Sequence, residues 1–363
     1  MTVWLLSMRL FFMLIISISG FGFSLLLGPY TAIHAEPISL IDRRVIFKHT
    51  HTDAKAPDNT SGYNLGPSVA VLPDGRVMAV WFSAPSEGAA SQRIMQAFSS
   101  DQGRTWGAAS VLQDFEGRPD FDPVLLVAGK ETFLFFSSFD PQLDIYVRRS
   151  HDSGVSWSES QKLNQPNHTT RSNGIQLSAG ELLVPLHLRG TKAGGVMKSS
   201  DGGTTWKRFG QVANPEGQGG EPTIAEMPSG AVHMLLRTKD GQLWRSISRD
   251  KGETWSAAEK TGLTATSSAS HLLCTRSGTL IVTHNPGPVP LRFPLHLRLS
   301  RDEGITWSEP ILLADRPTKT PGWSICYPTL TELPDGTVLA IWAQVKGTST
   351  ELYGDIHLAR LKL

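Results

Sequence analysis

Two short apolar runs flanking a turn recur along this chain. Residues 69–82 place Val69-Ala-Val-Leu and Val77-Met-Ala-Val-Trp81-Phe82 on either side of Pro73-Asp74-Gly75. That is a β-hairpin pattern: Pro and Asp favour the early turn positions, and Gly takes the positive φ that closes it. The pattern returns in residues 125–136 around Ala128-Gly129-Lys130, in 175–185 around Ser178-Ala179-Gly180 and in 223–236 around Pro228-Ser229-Gly230. Residues 271–283 around Arg276-Ser277-Gly278 and 329–342 around Pro334-Asp335-Gly336 give two more. Interleaved with these six hairpins is an octad of the form Ser-x-Asp-x-Gly-x-Thr/Ser-Trp, found at 99–106, 150–157, 199–206, 248–255 and 300–307.

The octad aspartates Asp101, Asp152, Asp201, Asp250 and Asp302 stand 51, 49, 49 and 52 residues apart. A near-constant period of this length marks a repeat architecture, and one inner hairpin plus one outer hairpin makes a four-stranded blade of about 50 residues. In the octad, Asp and Ser can bond their own backbone, Gly supplies the positive φ, and Trp opens the next strand as a core anchor whose N–H needs a buried partner. The expected fold is all-β, a six-bladed β-propeller over residues 36–363, with no helix after residue 35. Residues 356–361 end the sixth blade, and Val45-Ile46-Phe47-Lys48 is expected to pair with them and close the ring. Closure removes the edges that would otherwise template aggregation.

Composition narrows the function. With 34 basic and 33 acidic residues among 363, the net charge of +1 excludes nucleic-acid binding by bulk charge. Residues 1–35 stand apart: Arg9 precedes an uncharged run from Leu10 to Tyr30, and Ala32-Ile33-His34-Ala35 offers small residues for cleavage. The run is long for a signal peptide and adequate for a spanning helix. The expectation is an export signal or an N-terminal anchor. Residues 36–363 would then be periplasmic, secreted or tethered to the outer side of the cytoplasmic membrane, as a monomer. Cys274 and Cys326 lack metal-ligand spacing and are either bridged or two free thiols. No metal or cofactor is expected.

The octads resemble the Asp-boxes of the sialidase (neuraminidase) superfamily of BNR-repeat propellers, where they are structural turns away from the pocket. The resemblance implies a site. Glu221 in Gly220-Glu221-Pro222, then Arg237, Arg292 and Tyr327 before Pro328, follow the order of sialidase site residues. A sialic acid carries a carboxylate on its anomeric carbon. Arginine forks bind a carboxylate bidentately, and a carboxylate nucleophile would be repelled by it, whereas a neutral Tyr is not. Sialidases are accordingly the exception to the two-carboxylate rule of glycosidases. On this resemblance Tyr327 is the nucleophile, Glu221 its base, and Arg237 with Arg292 the clamp, in an exo-acting glycoside hydrolase that releases a terminal acidic sugar. The alternatives are a non-catalytic propeller that binds a glycan or helps assemble an envelope polymer, and a lyase acting on uronate-containing glycans.

Two departures from the family pattern stand in the first blade. Leu65, in Asn64-Leu65-Gly66-Pro67, occupies the place of the first clamp arginine, for which Arg93, Arg171 and Arg189 are all possible replacements. The expected acid/base Asp is missing, leaving Glu87 as the candidate acid, with Asp120 and Asp122 as alternates. The segments Trp81-Phe82-Ser-Ala-Pro-Ser-Glu87-Gly88, His284-Asn285 ahead of Arg292-Phe-Pro-Leu, and Tyr327-Pro328 resemble a bacterial sialidase-like branch. Asn64, His284 and Asn285 are the further substrate-binding candidates it suggests, and His187 is another pocket candidate. The substrate expected is an acidic glycan or sialoglycoconjugate.

Overall fold

The computed structural model describes residues 38–50, 62–316, 322–348 and 352–363. The leader expected at residues 1–35 lies outside them. The described residues hold no helix and form six antiparallel sheets, each a blade. The first blade orders its strands Tyr63–Val71, Val77–Ala84, Arg93–Ser99 and Ser110–Gln113 from the inside outward. The innermost strands of the second, fourth and fifth are Asp120–Ala128, Gly220–Glu226 and His271–Cys274. In the third blade the inner strand is broken into His168–Thr170 and Ile175–Gln176.

The sixth blade runs Trp323–Glu332, Val338–Gly347 and Leu352–Lys362, and takes its outermost strand, Ser39–Phe47, from the start of the ring. Val45 pairs with His357 and Phe47 with Ile356, so the ring closes at the pairing expected from the sequence. Apolar residues alternate along these strands onto both faces of each sheet. They build six buried clusters, one at each junction between neighbouring blades.

The five octads all sit between the third and fourth strands of their blades and share one set of hydrogen bonds. In the first, Gly103 N donates to Ser99 Oγ at 2.8 Å, Thr105 N to Asp101 Oδ1 at 2.8 Å, and Thr105 Oγ1 to Asp101 Oδ2 at 2.6 Å. The aspartate is consumed by its own turn, which holds Asp101 down at about 2, chiefly through the Thr105 bonds. The tryptophans are half-buried rather than core. Trp157, Trp206 and Trp255 donate to the carbonyls of their own box glycines, Gly154, Gly203 and Gly252. Gly203 has φ 86°, and a Cβ there would stand 2.5 Å from Phe133 of the preceding blade, so both turn and packing need glycine. Cys274 and Cys326 are free thiols, the second buried, which decides between the two sequence alternatives.

Candidate active site

One local device recurs on the innermost strands. Strand pairing slips between Leu65 and Ser68, Phe121 and Val124, Gly220 and Thr223, and Cys326 and Thr329. Each slip holds an X-Pro step: Gly66-Pro67, Asp122-Pro123, Glu221-Pro222 and Tyr327-Pro328. Proline has no N–H to give the ladder, so pairing must skip it, and a bulge re-aims the side chain ahead of it. The residue before each proline is left-handed, with φ of 64°, 49°, 41° and 57° respectively. Such a backbone costs a non-glycine residue on the order of 1–3 kcal/mol and persists where the surroundings over-determine it. In the third blade, Arg171 stands in the gap between the two pieces of the inner strand.

These positions meet in a cavity of about 690 Å³ at the axis, lined by Asp122, Arg171, Glu221, Arg237 and Tyr327 among others. Arg171 is buried and crosses to Asp122, with Nη1 2.6 Å from Oδ1. Its guanidinium carbon lies 3.6 Å from the centre of the Tyr327 ring, a stacked cation–π contact. Arg292 donates from Nη1 to Tyr327 Oη at 3.3 Å. Arg237 binds Glu221, and its Nε donates to Ser267 Oγ at 3.2 Å. Leu65, at the expected arginine place, is a buried cavity-wall residue. The guanidinium of Arg171 reaches the Gly66 backbone instead: a Cβ on Gly66 would stand 2.7 Å from Arg171 Nη1.

The charges follow from this packing. Burial works to raise Glu221, but Arg237 and Arg171 together outweigh it and keep the carboxyl below its ordinary range, so it is ionised. Burial, reinforced by the Glu221 charge, raises the Tyr327 phenol against the pull of Arg171, Arg292 and Arg237, so it is neutral. Asp122 is raised to about 6 by burial, with Arg171 opposing and Glu221 and Glu87 adding. His187, packed against Gly220 in the cavity wall, is lowered by burial and stays neutral at pH 7.

The structure therefore brings Tyr327, Glu221, Arg237 and Arg292 together, and Glu87 lies exposed on the cavity wall. Asn64, His284 and Asn285 do not line the cavity, contrary to their expected place. Asn64 is buried and accepts Trp81 Nε1 at 3.1 Å while donating to Gly354 O at 2.8 Å. Asn285 donates to Pro294 O and Ile325 O, and buried His284 sets Nδ1 2.9 Å from Thr264 O. Asp120 accepts from Phe115 N at 3.1 Å outside the cavity. Of the possible replacement arginines, Arg171 takes the central place and Arg189 lines the wall, while Arg93 does not. The sequence carried a signal for Arg171: it stands as far ahead of the turn residue Gly180 as Glu221 does ahead of Gly230 and Tyr327 ahead of Gly336. Asp122 breaks that spacing by two residues, but shares the X-Pro step.

An all-β ring of six blades with Asp-box turns and an axial, arginine-rich cavity defines the class. Residues 75–340 match the BNR repeat-like domain family, and the chain belongs to it. It is 33% identical over 152 residues to an anhydrosialidase of Macrobdella decora, covering 39% of this chain and 20% of that protein. It is 26% identical over 186 residues to a sialidase of Bacteroides fragilis, covering 45% of this chain and 33% of that one. The matched stretches thus span a third or less of those relatives. Among solved structures it is similar to a protein of unknown function from Dyadobacter fermentans, with TM-score 0.73 and 19% identity, covering 91% of this chain and 100% of that one. An intramolecular trans-sialidase from Ruminococcus gnavus gives TM-score 0.70 at 19% identity, covering 88% and 97%. At these identities the structural likenesses establish the fold.

Proposed function

We propose that this chain is an exported glycosidase that releases a terminal acidic sugar, sialic acid being the first candidate. The observation that carries the reading is the convergence of Arg171, Arg237 and Arg292 on a half-buried, neutral Tyr327 beside an ionised Glu221. The arginines take the sugar carboxylate in place of their present partners. Tyr327 Oη bonds the anomeric carbon as the bond to the leaving oxygen breaks. Glu221 accepts the phenol proton, and protonated Asp122 gives its proton to the leaving oxygen. Water then attacks the anomeric carbon as its bond to Tyr327 Oη breaks, losing a proton to Asp122, while Glu221 returns its proton to the Tyr327 oxygen. Asp122 is preferred to Glu87 as the acid because burial raises it towards working pH.

The test is turnover of a sialoside with a fluorogenic leaving group by residues 36–363, beside Tyr327→Phe. The reading expects hydrolysis by the wild-type protein and a loss of at least about 10³-fold in kcat for the variant, in the range seen when a nucleophile is removed. Undiminished turnover by Tyr327→Phe would remove Tyr327 from the chemistry. A folded wild-type protein that gives only an unsaturated product from a uronate-containing glycan would replace hydrolysis by elimination.

A further inference from the structure

The cavity wall is divided by charge. Its first- and second-blade side presents Leu65, Phe82, Phe121, Phe139 and Leu143, with Glu87 and Asp122 as its charged groups, both acidic. Phe121 there meets Phe82 and Phe139 edge-on at 6.3 and 6.1 Å. The third- and fourth-blade side carries Arg189, Lys192 and Lys239, all exposed. Arg189 and Lys192 lie on the turn between Leu182–Leu188 and Ala193–Ser199, and Lys239 lies on the matching turn between Val232–Arg237 and Gln242–Ser248.

Three features point to a ligand for this side. Arg171 and Arg237 already hold carboxylates of the chain, whereas no carboxylate lies within 4.0 Å of the charged ends of Arg189, Lys192 or Lys239 among the described residues. The cavity wall thus holds five basic residues against three acidic ones, Glu87, Asp122 and Glu221, in a chain whose charges nearly cancel. Like charges gathered around a concave site focus its potential and favour an anion there. The cavity, at about 690 Å³, is also within the range of roughly 300–1,000 Å³ of pockets that bury drug-sized ligands.

We propose that Arg189, Lys192 and Lys239 form a second anion subsite beside the arginine clamp, which takes a carboxylate or sulfate on the sugar next to the cleaved bond. The substrate class is then a glycan with at least two negative groups, one held by the clamp and one by this wall. The orientation of the sugar rests on the glycosidase reading. The anion binding does not.

The test is the double variant Lys192→Ala/Lys239→Ala. Arg189 is left in place because its charge also acts on Asp122 and His187. Turnover is compared on a fluorogenic monosialoside, with one carboxylate, and on a disialoside, with two. Exposed charge pairs are each worth up to about a factor of five, so kcat/KM on the disialoside should fall about five- to tenfold through KM. The monosialoside should change by less than about twofold, and added salt should erase the difference between the proteins. Equal effects on both substrates, or no effect on either, overturn the subsite. If the wild-type protein cleaves neither substrate, the glycosidase reading has failed and calorimetric binding of intact disialoside and of a sulfated oligosaccharide decides. Binding of either that the double variant weakens at least about fivefold supports the subsite on its own. Equal binding by both proteins, or none by the wild-type protein, overturns it.

Discussion

A carboxylate and a guanidinium from neighbouring blades, Asp122 and Arg171, meet at 2.6 Å against the ring of Tyr327. Tyr327, Glu221, Arg237 and Arg292 were legible in the sequence because each stands in a short motif whose order resembles that of sialidases. Arg171 was named only among several arginines, since its nearness to Tyr327 is created by the ring and not by any local run. Room for its guanidinium also comes from the absent side chain of Gly66, and an absence is hard to read from one sequence. The pair also fixes an expected pH profile. On the proposed glycosidase reading, Asp122 must be protonated to serve as acid and Glu221 ionised to serve as base. With Asp122 raised to about 6 and Glu221 held low, kcat/KM should be highest on the acid side of pH 6 and fall about tenfold per unit above it. Asp122→Asn should abolish that alkaline limb and cost about 10²–10⁴-fold on an alcohol leaving group, with a smaller loss on a phenol. An alkaline limb that survives in Asp122→Asn would move the acid role to Glu87.

At the scale of the element, the two hairpins of a blade do different work. The inner strands carry the X-Pro bulges that turn Asp122, Glu221 and Tyr327 towards the axis at a backbone cost, whereas the outer turns are closed, self-satisfied units. Both sets were legible because turn chemistry is local: Gly, Pro, Asp and Ser act on their own backbone. What the sequence misjudged is depth. The box tryptophans read as core anchors, but each indole lies half-buried over the junction with the preceding blade. Trp206 stands edge-on to Phe135 at 5.0 Å and to Phe133 at 6.2 Å. Trp206→Ala should therefore cost about 2–3 kcal/mol, below the roughly 3–5 kcal/mol of a fully buried aromatic. The denaturant midpoint measures it. A loss under about 1 kcal/mol would show that the Gly203 turn and its hydrogen bonds hold that junction without the ring.

Over the whole molecule, the third and sixth blades face each other across the ring, so Arg171 can stack on Tyr327 only when the ring is closed. The closing strand Ser39–Phe47 was legible from apolar pattern and position, since an unpaired last strand would leave an open edge. The seam between the first and sixth blades was not, because its bonds join residues nearly the whole ring apart. Gly354 N donates to Gly62 O at 2.9 Å, Thr329 Oγ1 to Pro67 O at 3.3 Å, and Asn64 Nδ2 to Gly354 O at 2.8 Å. A Cβ on Gly354 would stand 2.5 Å from Asn64 O, so the two backbones touch at the seam. This gives Asn64 a different part from the substrate contact its position in the sequence suggests. Asn64→Ala would leave Trp81 Nε1 and the Gly354 carbonyl buried without that partner, at about 1–3 kcal/mol each. The expected result is a stability loss of about 2–4 kcal/mol in denaturant unfolding, with KM for the monosialoside changed by less than about twofold at a temperature where the variant is folded. The opposite result, a raised KM with full stability, would return Asn64 to the binding site and leave the seam to Gly62, Thr329 and the closing strand.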